Sequence, residues 1–319
     1  MAGFYGALVV GVALVLVLAV LRILPIALIA AAVLLPLLTL LYLYDVEVYE
    51  DEPVRVIGLT LLWGIVTGVG VALLTRAVTS TGAAYFTQPQ STTIVVQGVL
   101  LPLLGFVLAL AGPLWLLRYR RFNDVLDGVT FGAAAGAAFA AAEVVTYSFS
   151  ILSGGLRPAG AVLQWLGRLM TIAVAIPVLE MAAVAAVAGS FWLRFRAPVR
   201  DRDALGVLGN PAAAIVLGGV LIVAGFVLQP VISTGWWLLC LVALDVIALL
   251  WLRRVIHLGL LEEALEVPIG GPIACANCGA TTPRHAFCIN CGISLQALPK
   301  QRPDDAGPVP GAQPAEGTT

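Results

Sequence analysis

The sequence has few charged residues, a single lysine and only two histidines. Charged residues make up 11% of its 319 residues, whereas a soluble domain usually carries about 25%. Hydrophobic residues reach 61%, and long apolar runs recur from Gly3 to Leu252. Such runs are typical of helices that cross a bilayer. The scarcity of charge therefore excludes an ordinary soluble protein. It predicts an all-α, polytopic membrane protein that has the lipid bilayer as a partner.

The scarcity of lysine and histidine limits the kinds of functional site that the chain can form. Lys300 is the only lysine, and the net charge of −1 gives no indication of nucleic-acid binding. Both histidines, His257 and His285, follow the last apolar run. A zinc site inside the membrane would therefore have only carboxylate ligands, which zinc seldom uses alone. The sequence also lacks a Gly-x-Ser-x-Gly nucleophile turn and a phosphate-binding loop.

The apolar runs divide into about eight predicted spans, which puts both termini on one side of the membrane. The spans are Gly6–Leu21, Ile23–Leu43, Val56–Leu74, Ile94–Leu117, Asn123–Leu152, Leu169–Leu193, Pro211–Leu228 and Ile232–Leu252. Arginines concentrate in the loops on the side of the termini, and such loops normally face the cytosol. These arginines are Arg55, Arg118, Arg120, Arg121, Arg194, Arg196, Arg200, Arg202, Arg253 and Arg254. We therefore predict a multi-pass protein of the cell membrane with both termini in the cytosol.

The fifth span is rich in glycine and alanine and carries one carboxylate. At about 100° per residue, Gly132, Gly136, Glu143 and Tyr147 fall on one stripe of the helix. Small residues on such a stripe let another helix approach closely, and the third span has a similar pair, Gly64 and Gly68. A carboxylate at bilayer depth is costly and usually faces protein, water or a partner. Glu143 therefore either marks a functional site or satisfies a neighbouring group.

Two further carboxylates lie within predicted spans, Glu180 in the sixth and Asp245 in the eighth. Glu180 follows Pro177, where a kink would free a backbone carbonyl. The helical rise places Glu143 and Glu180 within a few turns of the same depth. The two carboxylates could then share a proton or a cation. The alternative is that each pairs separately with Tyr, Ser, Trp or Arg groups.

Four of the five cysteines form two Cys-x-x-Cys pairs near the C-terminus. The pairs Cys275–Cys278 and Cys288–Cys291 are separated by nine residues, and a glycine follows each pair. Four thiolates at this spacing are typical of a closed tetrahedral zinc site, which leaves no position open for catalysis. Two disulfides are the alternative, and a cytosolic location disfavours them. We therefore predict a zinc ribbon whose structural Zn²⁺ is bound by Cys275, Cys278, Cys288 and Cys291.

These features predict four regions. Residues 1–256 form a transmembrane helical domain, and residues 257–271 a linker helix that ends at a Gly-Gly-Pro sequence. Residues 272–297 form the zinc ribbon, which is too small to fold without its metal. Residues 298–319 are rich in proline, glycine and polar residues and are predicted to be disordered.

Three stretches of the chain resemble the PrsW family of bacterial intramembrane proteases. They are Tyr44–Pro53 with the following Trp63-Gly64, Arg120–Tyr147, and Arg168–Gly189. The second stretch is the specific one, and its matching residues are Phe122, Asp127, Gly128, Gly132, Gly136, Phe139, Ala140, Glu143 and Tyr147. The resemblance covers a core of about residues 36–193. It implies a protein of the bacterial inner membrane that cleaves a membrane protein, for example an anti-sigma factor.

The chain lacks several side chains that members of this family carry at the corresponding positions. The family carries a Glu-Glu-x-x-Lys motif on the helix before the Asp-Gly stretch, where this chain has Gly105, Phe106 and Ala109. The family also carries an intramembrane histidine on the later helix, where this chain offers Glu180. The missing groups are those that would bind a metal or activate water.

Three functions follow as hypotheses. The favoured one is a non-catalytic relative that binds membrane or regulatory proteins. The second is an active PrsW-type peptidase with a membrane-protein substrate, in which Glu143 and Glu180 form a rebuilt catalytic site. The third is a proton- or cation-coupled transporter that uses Glu143, Glu180 and Asp245, although the sequence shows no paired repeat.

Overall fold

The computed structural model describes residues 2–47, 54–80, 94–152, 162–196, 206–229, 231–266 and 273–282, together with 288, 290, 291 and 293. The chain divides into two compact units, residues 1–264 and 265–319.

The first unit is all-α, as the composition predicts. Its elements in chain order are α1 (Ala2–Val20), α2 (Leu24–Glu47), α3 (Val54–Ser80), the π-helical segment π1 (Ile94–Leu100) continued by α4 (Leu101–Leu116), α5 (Val125–Leu152), α6 (Val162–Met170), the π-helical segment π2 (Thr171–Ala175) continued by α7 (Ile176–Phe195), a 3₁₀ turn (Gly206–Gly209), α8 (Pro211–Val227) and α9 (Thr234–Glu266).

The described helices confirm a polytopic membrane bundle. Six helical segments are long and apolar enough to cross a membrane, and shorter apolar helices cover Pro25–Leu41 and Pro211–Val227. One boundary differs from the prediction. Helix α9 continues without a break to Glu266, so residues 257–266 extend the last span, although a separate linker helix was predicted there. Residues 267–271 and the predicted disordered tail, 298–319, lie outside the described residues.

Helix α5 and the segment α6–π2–α7 form the centre of the bundle. In an apolar 18-residue window of each of their spans, Val125–Phe149 and Trp165–Phe195, 72% of the residues are buried, against 11–39% in the windows of the other four long spans. Glycine permits this close packing. A methyl group at Gly132 would lie 2.7 Å from Ala185 Cα, and one at Gly136 would lie 2.9 Å from Met181 Cα. The predicted close approach along this stripe is confirmed.

A second face of α5 packs equally closely against α3. A methyl group at Gly64 would collide with the carbonyl oxygen of Ala135, and one at Gly68 with the carbonyl oxygen of Phe139. The predicted small-xxx-small pair on the third span therefore serves this contact. Because α5 is held by backbone contact on two faces, its side chains have well-defined positions.

A capping box starts α5 and explains two of the residues that resemble the family. Asp124 Oδ1 accepts a hydrogen bond from the Leu126 N–H at 2.9 Å, and Asp127 Oδ2 accepts one from the Asp124 N–H at 3.1 Å. The next position is glycine because the ring of Trp192 leaves no room for a side chain: a methyl group at Gly128 would lie 2.7 Å from Trp192 Cδ2. The Asp127-Gly128 pair therefore has a structural role at the start of the central helix.

Each π-helical segment leads into a proline, since α4 and α7 both have proline at their starts, Pro102 and Pro177. Proline has no N–H to donate to the carbonyl four residues earlier, which is that of Gly98 or Ala173. A wider hydrogen-bond register accommodates this loss, and the Ile176 N–H donates to the Thr171 carbonyl, five residues back. The sequence predicted a kink at Pro177 that frees a backbone carbonyl, and the structure has a π-helical segment, Thr171–Ala175, about one turn before Glu180.

The second unit contains a short antiparallel pair of strands. Strand β1 (Ile273–Ala274) pairs with β2 (Thr281–Thr282), with Ile273 opposite Thr282 and Ala274 opposite Thr281. The pair brackets the first Cys-x-x-Cys sequence.

Candidate functional sites: an intramembrane cavity and a cysteine cluster

A cavity of about 240 Å³ lies inside the helical unit. We call it the carboxylate cavity. Its lining comes from α3, π1, α4, α5, π2, α7, α9 and the end of α8. The lining residues with hydroxyl, amide or carboxyl groups are Thr75, Gln97, Glu143, Tyr147, Glu180 and Gln229. It lies at the end of the bundle where α3 ends and α9 begins. Gln97 and Gln229 were missed from the sequence; their only signal was a polar residue close to the end of an apolar run.

The antiparallel packing of α5 and α7 brings the two glutamates together. A methyl group at Gly136 would lie 3.3 Å from the Glu180 carbonyl oxygen, so these residues are at one level. Glu143 is two turns further along α5, about 10 Å by the helical rise. Side chains lean toward the N-terminus of their own helix. Glu143 and Glu180 therefore lean toward each other, and both line the cavity.

Glu180 is the more buried of the two carboxylates. Its exposed fraction is 6%, and its Oε2 has no hydrogen-bond partner among the described residues. A buried polar atom without a partner is costly, so it is a candidate contact for a ligand. Asp245 is also buried and its Oδ1 lacks a partner in the described part of the chain, but Asp245 does not line the carboxylate cavity. The third intramembrane carboxylate is thus separate from the other two.

Apolar packing fills the place where the resemblance would put a glutamate pair. Gly105 lines the cavity, and a methyl group there would lie 2.7 Å from Phe139 Cζ. Phe106 is buried, and its Cζ would lie 2.8 Å from a methyl group at Gly218 of α8. Ala109 is fully buried. This part of α4 therefore offers aliphatic and aromatic carbon, with no side-chain oxygen or nitrogen.

These residues do not fit a hydrolytic metal centre. A catalytic zinc normally has three protein ligands, of which at least one is histidine. The lining of the carboxylate cavity includes the two glutamates and no histidine. Within the described part of the chain, the one group of three or more His, Cys, Asp or Glu side chains placed to share a metal ion is the cysteine cluster.

The cysteine cluster has the geometry of a metal site. The four Sγ atoms of Cys275, Cys278, Cys288 and Cys291 lie within 4.8 Å of one another. The Sγ–Sγ distance is 3.8 Å from Cys275 to Cys291 and 3.7 Å from Cys278 to Cys288. Sulfurs bound at about 2.3 Å to one tetrahedral ion would be about 3.8 Å apart. These four cysteines could therefore bind a metal ion.

Backbone hydrogen bonds shape the two cysteine pairs. The Gly279 N–H donates to the Cys275 carbonyl at 2.8 Å, and Gly279 has a φ of 69°, which favours glycine. The Cys275 N–H donates to Ala280 and the Cys288 N–H to Ile293, each at 2.9 Å. The backbone N–H of Cys291 lowers the pKa of the Cys288 thiol to about 6. The turn therefore favours the thiolate, which is the form that binds metals.

Two asparagines contact the sulfurs and were not predicted. Asn277 Nδ2 lies 3.6 Å from Cys291 Sγ, and Asn290 Nδ2 lies 3.6 Å from Cys278 Sγ. Each amide thus reaches a sulfur of the other pair. The signal was present in the repeated asparagine of Cys-Ala-Asn-Cys and Cys-Ile-Asn-Cys.

We expect the double substitution Asn277→Ala and Asn290→Ala to weaken metal binding about 10- to 100-fold, because it removes two hydrogen bonds to the ligands. Competition with a chromophoric chelator measures the affinity. Thr281→Ala is the matched control, since Thr281 is an exposed residue of the same unit. Equal affinities of the double variant and the control would contradict the role given to the asparagines.

One comparison with known proteins identifies the helical unit. A family model described as PrsW family intramembrane metalloprotease matches residues 52–252. This match begins and ends later than the resemblance found in the sequence, and it includes α8 and most of α9. No curated protein and no solved structure matches the chain. Because the matched region covers well over half of the sequence, this multi-pass membrane protein belongs to the PrsW family.

Proposed function

We propose that this protein is a non-catalytic member of the PrsW family that binds a membrane or regulatory protein. The packing of α4 carries this proposal. Peptide hydrolysis needs an activated water and a group that stabilises the developing oxyanion. At the corresponding place Gly105 and Phe106 contact the phenyl ring of Phe139 and helix α8, so neither a metal ligand nor a base is available there. The carboxylate cavity lies beside this packing, because Gly105 and Phe139 both line it, and it supports binding.

One observation favours a second candidate function. Glu143 and Glu180 share the carboxylate cavity, and two neighbouring carboxylates can act together as acid and base. An active peptidase rebuilt around this pair is therefore the alternative. Transport through a relay of three carboxylates has less support, because Asp245 does not line the cavity.

We expect no proteolysis by this chain. The protein is co-expressed with a panel of single-span membrane substrates that carry a tag at each end, and fragments are detected by immunoblotting and mass spectrometry. An active family member that has the glutamate pair and the histidine is the positive control. Loss of a general base alone lowers rates about 10²- to 10⁴-fold. Cleavage by the native chain that disappears in Glu143→Gln or Glu180→Gln would establish the rebuilt peptidase instead.

The metal of the cysteine cluster is proposed to be Zn²⁺ with a structural role. Four thiolates suit zinc in a closed tetrahedral site. The Sγ–Sγ distances of 3.8 Å from Cys275 to Cys291 and 3.7 Å from Cys278 to Cys288 suit ligands of one ion and are too long for disulfide bonds. Zinc would hold the two turns together and take no part in chemistry within the membrane.

We also propose that both termini are cytosolic. The described arginines near the ends of α4 and α7 and in the second half of α9 support this orientation by the positive-inside rule; they are Arg118, Arg120, Arg121, Arg194, Arg196, Arg253 and Arg254. A reporter pair, phosphatase and fluorescent protein, fused after Glu266 or inserted within residues 81–93, should report opposite sides. The same side for both positions would exclude the five spans, an odd number, that the proposed topology places between these points.

A further inference from the structure

We infer that the carboxylate cavity binds one positively charged side chain, an ammonium or guanidinium group carried by a membrane helix of the partner. This inference rests on the proposed function, since it names the chemistry by which the partner is recognised. It assigns a ligand class to Glu143 and Glu180, which have no catalytic role in that function.

The first argument is charge. Glu143 and Glu180 line one cavity, and no lysine, arginine or histidine is among the residues that line it. Two buried carboxylates repel each other when both are ionised, and burial without a counter-ion is costly for either one. A single cation placed between them would remove both costs. Charge-assisted hydrogen bonds of this kind are among the strongest in proteins.

The second argument is the unpartnered oxygen. Glu180 is 94% buried, its Oε2 has no hydrogen-bond partner among the described residues, and its side chain lines the cavity. A buried acceptor in this state needs a donor. An ammonium group has three donors and a guanidinium group has five. Either can satisfy Glu180 and has further donors for Glu143, which lines the same cavity.

The third argument is the remaining wall of the cavity. Aliphatic residues such as Val71, Leu101 and Ile172 line it, together with the aromatic rings of Phe139 and Phe226. An alkyl chain gains from this apolar surface, whereas a hydrated metal cation does not. Aromatic faces also attract cations. A cavity of about 150 Å³ can hold benzene, so the 240 Å³ found here has room for a lysine side chain.

The cavity also reaches the surface of the helical bundle, where a partner helix could present such a side chain. Tyr147 lines the cavity, and 49% of its surface is exposed. Thr75, another lining residue, is five residues before the end of α3 at Ser80. A basic residue about two turns inside the end of a transmembrane helix would therefore lie at the right depth.

The test uses the full chain in phosphatidylcholine nanodiscs and two labelled single-span peptides. The peptides are leucine–alanine helices that differ at one position two turns from an end, which is lysine in one and norleucine in the other. Binding is measured by fluorescence anisotropy. We expect the lysine peptide to bind at least about tenfold more tightly. Equal affinities for the two peptides would overturn the inference, whatever the variants show.

Substitutions then locate the effect. The preference for lysine should disappear in the double variant Glu143→Gln and Glu180→Gln and persist in Asp245→Asn, which removes an intramembrane carboxylate outside the cavity. The single glutamine variants give the same comparison if the double variant does not fold. A preference that survives both glutamine substitutions would place the lysine elsewhere and contradict the inference.

The same samples separate this inference from the proposed function. Mass spectrometry of the peptide shows whether it has been cut, and cleavage would overturn the non-catalytic function. An intact peptide bound without preference for lysine would overturn only the inference. Hexylammonium is added as a competitor. If it binds with the same dependence on the two glutamates while the lysine peptide shows no preference, the ligand is a small amine and the assignment to a partner helix is wrong.

Discussion

Replacing Cys288 with serine is expected to abolish metal binding by the C-terminal unit and to unfold it. Cys288 is buried, and its Sγ lies 3.7 Å from that of Cys278 in the four-sulfur cluster. Strands of two residues each supply little other stability. Structural zinc contributes about 10–16 kcal/mol of apparent binding free energy in comparable small domains, and that energy is also folding energy.

The measurement combines elemental analysis with hydrogen exchange of the purified full chain. The native protein should hold about one zinc per chain and protect the amides of Cys275, Gly279 and Cys288, which are hydrogen-bonded. Cys288→Ser should lose both the zinc and this protection. Cys240→Ser is the matched control, because Cys240 lies in α9 and outside the cluster. A protected ribbon without metal would refute the structural role of the ion.

Much of the helical unit follows from hydropathy and small residues. Runs of apolar residues specify the spans because a backbone in lipid must satisfy its own hydrogen bonds, which favours helices. Glycine pairs such as Gly64 and Gly68 indicate close contacts because no larger residue would fit. The cysteine cluster is equally predictable, since its four ligands are close in sequence.

The carboxylate cavity could be predicted only in part. Helical periodicity places Glu143 and Glu180 on faces of their own helices, but it does not specify how two helices are rotated against each other. The contact of Gly136 with the backbone of α7 determines that rotation. Gln97 and Gln229 line the cavity because π1 begins and α8 ends at this level of the bundle. The same reasoning could not separate Asp245 from the other two carboxylates, since all three have similar sequence surroundings.

The long last helix shows that a helix boundary predicted from the sequence pattern can be absent from the structure. Residues 257–266 contain glutamates between apolar residues, a pattern typical of a separate amphipathic helix. In the structure they continue α9 to Glu266. No proline or pair of glycines lies within this stretch, and the first proline after it is Pro268, two residues beyond the end of α9.

Replacing Gly68 with leucine is expected to break the contact between α3 and α5 and to destabilise the helical unit by about 3 kcal/mol or more. The obstacle at Gly68 is the carbonyl oxygen of Phe139. A side chain could rotate away, but this oxygen belongs to the backbone of the central helix. The two helices must therefore separate. Val71, one turn further along α3, lines the carboxylate cavity, so separation would also displace one of its walls.

Gly70→Leu provides a matched control on the same helix. Gly70 is exposed, and a methyl group there would meet nothing within 4 Å. Both substitutions place the same apolar side chain in the same helix, and leucine has a higher helix propensity than the glycine that it replaces. The free energy of unfolding is measured in mixed micelles by circular dichroism during detergent titration. It should fall for Gly68→Leu and change by no more than about 0.5 kcal/mol for Gly70→Leu. Equal stabilities of the two variants would mean that α3 and α5 are not in backbone contact at Gly68. The glycines of α3 would then have no part in positioning Glu143.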